Sequence, residues 1–300
     1  MKPYFPLRCG LVVACLLAAS PARAAEAPYT VYAAGDIAWC GKGEAKWSGA
    51  EDTARVIQFG LAATPRAAVL ALGDNVYERG TAAEYARCYG PTWGRFKERT
   101  YPTPGNHEYA TPGAAGYFAY FGKAAGRGYY SVQLGAWHVI SLDSNLKGEA
   151  HLAQLAWLKR DLAASGARCT LAYWHHPLYS SGGHGREPIM RDAWELLYRA
   201  GAEIVLSGHD HNYERFRPQD ANGRRDMEQG IRQFVVGTGG AYLTPLLLTV
   251  KNSEVRDNSR TGVLKLVLGE TGYQWEFMEA ASDAGFPNGP PLDRGAGQCH

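Results

Sequence analysis

Three hundred residues, 46 % of them hydrophobic, are enough for one sizeable domain with a buried core. Thirty-one basic against twenty-nine acidic residues leave a net charge of +2 with no long Lys/Arg run, which excludes nucleic-acid or polybasic membrane binding as the main role. Thirty-six glycines and eighteen tyrosines suit a loop-rich protein of many short strands.

The N-terminus reads as an export signal. Lys2 and Arg8 make a weakly positive start, and the apolar run at 10–19 (GLVVACLLAA) is too short to span a bilayer. Ser20-Pro21 breaks it, and Ala22-Arg23-Ala24 is an A-x-A cleavage signature. The expectation is a signal peptide at 1–24 and a secreted or periplasmic chain at 25–300. A lipoprotein reading through Cys15 has little apolar run in front of it, and no later stretch is long enough for a transmembrane helix.

Cys9 and Cys15 leave with the signal, so Cys40, Cys88, Cys169 and Cys299 remain. An even number in an oxidising compartment favours two structural disulfides, with three possible connectivities. The pairing expected is Cys40–Cys88 and Cys169–Cys299: the first two flank early loops, and Cys299 would pin the tail. There is no C-x-x-C pair for a zinc thiolate site.

Along the chain, residues 29–34 read as a strand ending in Gly35-Asp36. A helix around 52–61 precedes the apolar run 67–72, which ends in Gly73-Asp74-Asn75. Residues 129–134 and 137–142 form a hairpin, and 153–163 is a helix with Leu155, Leu158 and Leu162 at helical spacing. A strand at 170–174 runs into His175-His176-Pro177, a helix at 192–199 follows, and a short strand at 203–206 delivers Gly208-His209-Asp210-His211. The last third is strand-rich, with 234–236 leading to Gly237-Thr238-Gly239-Gly240 and 262–268 alternating with 273–277 like paired strands. The glycine-rich stretch lacks the lysine of a phosphate-cradling loop and reads as a tight turn. With no repeat and no linker, the pattern implies one α/β domain of two packed sheets flanked by helices.

One arrangement recurs: a strand, a glycine or turn, then a carboxylate, amide or imidazole. It places Asp36 in GDIA, Asp74 in GDNVY, Asn106 and His107 in GNHE, His175 in YWHHP, and His209 and His211 in GHDH. In layered α/β folds the carboxyl ends of strands converge on a crevice. Two carboxylates, an amide oxygen and three imidazoles form a mixed oxygen and nitrogen set suited to iron, zinc or manganese rather than calcium. Asp74 has two oxygens with which to bridge a pair of ions. Such a pair can hold a phosphate and turn a bound water into a hydroxide that attacks phosphorus in line with the leaving group.

On these residues the sequence resembles the calcineurin-like metallophosphoesterases, and within them the purple acid phosphatases. Their order GDxG, GDxxY, GNH[E/D], VxxH, GHxH is met between Gly35 and His211, with two departures: Ala38 for the last glycine of the first motif and Ala172 for the valine of the fourth. The resemblance implies a four-layer αββα sandwich with two mixed β-sheets. It implies that Asp36, Asp74, Tyr77 and His211 hold one ion, typically ferric. Asp74, Asn106, His175 and His209 would hold a second, ferrous iron, zinc or manganese. Tyr77 marks the purple branch, and His175 rather than His176 satisfies the spacing of the fourth motif. His107, beside Asn106, and His184, in the SSGGHGRE loop, are the expected groups for steadying the transition state or protonating the departing alkoxide. Tyr213 and Arg215 read as scaffold. The function expected is a secreted, acid phosphatase-like hydrolysis of small-molecule phosphate monoesters. The alternatives are a phosphodiesterase on the same metal pair and a non-catalytic phosphate or metal binder.

Overall fold

The computed structural model describes residues 1, 3–4, 26–41, 49–184, 187–281 and 290–300. The apolar run and A-x-A signature of the expected signal peptide lie outside the described residues. Among the described residues, no helix is long and apolar enough to cross a membrane.

The elements in chain order are β1 (Tyr29–Ala34), β2 (Ala38–Trp39), α1 (Gly49–Ala63), β3 (Ala67–Leu72), β4 (Val76–Tyr77), α2 (Ala82–Glu84) and β5 (Thr100–Thr103). There follow α3 (Asn106–Tyr109), α4 (Ala115–Phe121), β6 (Tyr130–Leu134), β7 (Trp137–Ser141), α5 (Gly148–Ala164), β8 (Cys169–Tyr173) and α6 (Arg191–Arg199). The last part holds β9 (Ile204–Ser207), β10 (Tyr213–Phe216), β11 (Arg232–Val236), β12 (Ser253–Asp257), β13 (Gly262–Leu268), β14 (Gly272–Glu279) and β15 (Arg294–Gln298).

Two mixed sheets stack. The first runs β15-β14-β13-β1-β3-β5, with β1, β3 and β5 parallel and the rest antiparallel. The second runs β12-β10-β11-β9-β8-β7-β6, with β7, β8, β9 and β11 parallel. Every residue of β3 (AAVLAL) is buried, as a strand covered on both faces requires.

Alternation along β8 shows the layering. Leu171 and Tyr173 join the core between the sheets, together with Val69, Val139, Leu206 and Val236. Ala172 and Trp174 point the other way, into a second cluster with Leu158 of α5 and Trp194 and Leu197 of α6. Helix α1 covers the outer face of the first sheet through Ile57 and Leu61, which completes a four-layer αββα sandwich. Ala172 is thus a packing position, and Ala38 is a buried residue of β2 in register with Val76 of β4.

Both expected disulfides are present, Cys40–Cys88 and Cys169–Cys299. Tyr213 and Arg215 act as scaffold: the tyrosine hydroxyl and the Arg215 Nε–H both donate to Asp293 Oδ2 at 2.7 Å, tying the segment before β15 to β10.

Candidate metal centre

The carboxyl ends of β1, β3, β8 and β9 meet, and the turns leaving them are conformationally demanding. Asp36, Asp74 and His209 have φ of 60°, 47° and 71°, left-handed values that cost non-glycine residues energy. Three of the expected site residues therefore sit in backbone that only the surrounding structure holds in place. At Gly105 a side chain is excluded, because a Cβ there would lie 2.1 Å from Asp74 Oδ1.

Two groups of donors share one oxygen. In the first, Tyr77 Oη lies 2.8 Å from Asp36 Oδ1, 3.2 Å from Asp74 Oδ2 and 3.0 Å from His211 Nε2. In the second, His175 Nε2 lies 3.2 Å from the same Asp74 Oδ2, 3.1 Å from Asn106 Oδ1 and 3.3 Å from His209 Nδ1. Four further atoms of the set are tethered. The His107 backbone N–H donates to Asp74 Oδ1 at 2.9 Å, and the His209 backbone N–H donates to Asp36 Oδ2 at 2.8 Å. His175 Nδ1–H donates to the Leu72 carbonyl at 2.9 Å and His211 Nδ1–H to the Tyr242 carbonyl at 2.5 Å. Backbone acceptors thus fix both tautomers and turn Nε2 inward, as ligating histidines require.

The electrostatics call for cations. Burial opposes ionisation of Asp36 and Asp74, yet His211 beside the first and His175 beside the second hold both pKa values below the usual carboxylate range. Burial works against protonated His175, but Asp74 outweighs it and holds its pKa at about 10. His211 is raised in the same way, with burial opposing and Asp36 prevailing. His209, by contrast, is desolvated and faces His175, which pushes it down to about 3. Burial and the two aspartates drive Tyr77 well above the ordinary phenol value. Among the described residues no lysine or arginine pairs with Asp36 or Asp74, so in the bare protein imidazolium protons balance the buried carboxylates. Metal ions would take the place of those protons. Among the described residues, carboxylate, phenol, amide and imidazole donors converge on a buried site with no arginine paired to the carboxylates, a set that fits small, highly charged metal ions.

His107 and His184 line the rim rather than the interior. His107 Nδ1–H donates to the Glu78 carbonyl at 2.6 Å, its ring is 4.4 Å from that of Tyr77, and its Nε2 is 3.8 Å from Asp74 Oδ2. His184 Nδ1–H donates to the His209 carbonyl at 2.9 Å, with ring centroids 5.0 Å from His209 and 5.6 Å from His211. Their side chains are 31 % and 39 % exposed, so both reach solvent beside the donor set.

Three supporting residues escaped the motif reading. Glu108 is fully buried and accepts N–H bonds from Gly105 (2.7 Å) and Asn75 (2.9 Å), joining the turns that carry Asn106 and Asp74. Asp210 accepts the His184 backbone N–H at 2.8 Å and the Ser180 hydroxyl, anchoring the His184 loop. The third is Ser144, whose Oγ lies 2.8 Å from His176 Nδ1. Glu108 and Asp210 stand inside the quoted motifs GNHE and GHDH, which was the available signal; Ser144 had none. The glycine-rich stretch is more than a turn: Gly239 N–H donates to the Gly35 carbonyl and Ala241 N–H to the Asp36 carbonyl, both at 2.9 Å, bracing the Asp36 turn.

Residues 29–213 match the family described as calcineurin-like phosphoesterase. The chain is 33 % identical over 187 residues to purple acid phosphatase 15 of Arabidopsis thaliana, covering 49 % of this chain and 35 % of that protein. It is 36 % identical over 83 residues to tartrate-resistant acid phosphatase type 5 of Oryctolagus cuniculus, 27 % of this chain and 25 % of the other. The matches thus span about a third or less of these relatives' own length. Among solved structures, purple acid phosphatase PPD1 from yellow lupin (Lupinus luteus) seeds superposes with a TM-score of 0.67 at 22 % identity, covering 90 % of this chain and 53 % of that one. GAP50, described as the anchor in the inner membrane complex of Plasmodium, superposes with a TM-score of 0.66 at 14 % identity, covering 91 % and 89 %.

Proposed function

This chain belongs to the calcineurin-like phosphoesterase family, and from that premise we propose that it is a secreted phosphomonoesterase of the purple acid phosphatase type with a dinuclear centre. The observation that carries the reading is Asp74 Oδ2, 3.2 Å from both Tyr77 Oη and His175 Nε2, a single oxygen common to two donor sets. Asp36, Asp74, Tyr77 and His211 would hold a ferric ion. Asp74, Asn106, His175 and His209 would hold ferrous iron, zinc or manganese. When bound, the two ions would polarise the phosphoryl oxygens and lower the pKa of a bound water enough to make it the nucleophile.

The chain's own residues supply the rest. His107 and His184 each commit Nδ1 to a backbone carbonyl. Nε2 is therefore the atom left to contact a phosphoryl oxygen or hand a proton to the departing alkoxide. Glu108 and Asp210 hold the turns on which Asn106 and His184 ride. The Plasmodium neighbour shows why the fold alone does not carry this proposal; the donor set supports it.

Two paired disulfides support an oxidising compartment, and we place the mature domain at 25–300 with export through the segment before it. Hydrolysis of p-nitrophenyl phosphate by metal-loaded protein, faster than that of its bis ester, is the expected result. Preference for the bis ester would make the chain a phosphodiesterase, and hydrolysis of neither with metal bound would make it a binder.

A further inference from the structure

The fourth motif calls for one histidine, and this chain presents two in succession. His176 is not idle. Its ring centroid is 4.4 Å from that of His209 and 4.8 Å from that of His175. Ligand atoms of His175, His176 and His209 lie within 4.8 Å of one another, the same closeness that relates Asp36, Asp74 and His175. The edges of the His176 ring differ. Nδ1 faces Ser144 Oγ at 2.8 Å, and the same oxygen accepts the His176 backbone N–H at 3.1 Å. Ser144 is only 3 % exposed, so this partner is fixed in place. Pro177 follows and restricts the His176 backbone to extended conformations, which limits where the ring can swing. Among the described residues Nε2 has no such partner, and the half-buried ring stands beside two imidazoles already assigned to one ion.

We infer that His176 supplies a third imidazole, through Nε2, to the second metal position, with Ser144 orienting the ring; this rests on the dinuclear reading above. An imidazole whose other nitrogen is held by a hydrogen-bond partner is the usual state of a ligating histidine. Three imidazoles beside one carboxylate and one amide oxygen shift the position away from manganese and towards zinc.

The test strips the full chain of metal and titrates it with Zn²⁺ and with Mn²⁺ by calorimetry, comparing the wild type with His176→Ala and Ser144→Ala. The expected result is two ions bound by the wild type. Loss of His176 should weaken Zn²⁺ at one position by at least roughly 10–100-fold, the range seen when even an outer partner of a ligand is lost. Mn²⁺ should weaken less, and the other position should be unaltered. Ser144→Ala should weaken Zn²⁺ at the same position by a smaller factor, and it keeps the test valid should His176→Ala not fold. Two ions bound with Zn²⁺ affinity and Zn²⁺/Mn²⁺ preference unchanged in the variants would overturn the inference alone. Fewer than two ions bound by the wild type would overturn the dinuclear reading, and the inference with it.

Discussion

Tyr77 Oη lies 2.8 Å from Asp36 Oδ1, and both residues are completely buried. A phenol so placed stays protonated in the bare protein, because burial and the two aspartates oppose its ionisation. Only a strongly charged cation between the two would reverse that. Iron-loaded protein should therefore show a visible charge-transfer band, and Tyr77→Phe should bleach it while Asp36, Asp74 and His211 retain some iron. A colourless iron-loaded wild type, or a band that survives the substitution, contradicts the ferric assignment and leaves a zinc or manganese pair.

His107 and His184 are separable from the metal donors. Replacing either by alanine should leave metal content intact and lower kcat by roughly 10²–10⁴-fold for a full general-acid role. Metal analysis beside steady-state kinetics decides it: loss of an ion from His107→Ala would make that residue a ligand, and unaltered kcat in His184→Ala would make it a surface residue.

Much of this site was legible because its chemistry is written where strands end. Glycine followed by Asp36, by Asp74 or by His209 is a local pattern, and the left-handed φ of all three turned residues explains why the chain breaks there. What escaped depends on tertiary contact. Ser144 and Glu108 work through hydrogen bonds to residues 32 and 33 positions away; GNHE displays Glu108 but not its partner, and nothing local marks Ser144. Edge strands β12 (SEVRD) and β15 (RGAGQ) lack apolar alternation and gain their form from neighbours. Helix α5 begins at Gly148, five residues ahead of 153, because its first turn is polar and hides the apolar spacing.

Glu108 gives a stability prediction. Glu108→Ala leaves the buried N–H groups of Gly105 and Asn75 without their acceptor. The loss should be about 2–6 kcal/mol at about 1–3 kcal/mol per unpaired group. Because those turns carry Asn106 and Asp74, occupancy of the second position should fall with it. Denaturant unfolding and metal analysis read the two effects. An unchanged midpoint would mean that the turns hold themselves.

Far from the site, Glu203 sets a pH dependence. It is 2 % exposed, accepts the His300 backbone N–H at 3.0 Å, and lies 3.1 Å from His300 Nδ1. Burial raises its pKa from 4.5 to about 7, against the opposing pull of His300 and Arg168. The folded protein therefore holds this proton more tightly than the unfolded chain. Its stabilising contribution is complete below about pH 4.5 and is lost as pH rises through about 7. Glu203→Gln keeps an acceptor for the His300 N–H and cannot ionise, so the fall in Tm between about pH 5 and about pH 8 should shrink by roughly 2–4 °C. A difference identical to that of the wild type would contradict the assignment.

The central claim is that two ions share Asp74, and metal stoichiometry in the wild type and in Asp74→Asn tests it most directly. Two ions per wild-type chain are expected, with Asp74→Asn holding fewer than one and losing nearly all hydrolysis, because the shared charge is gone. Two ions retained by Asp74→Asn with near-normal turnover would contradict it.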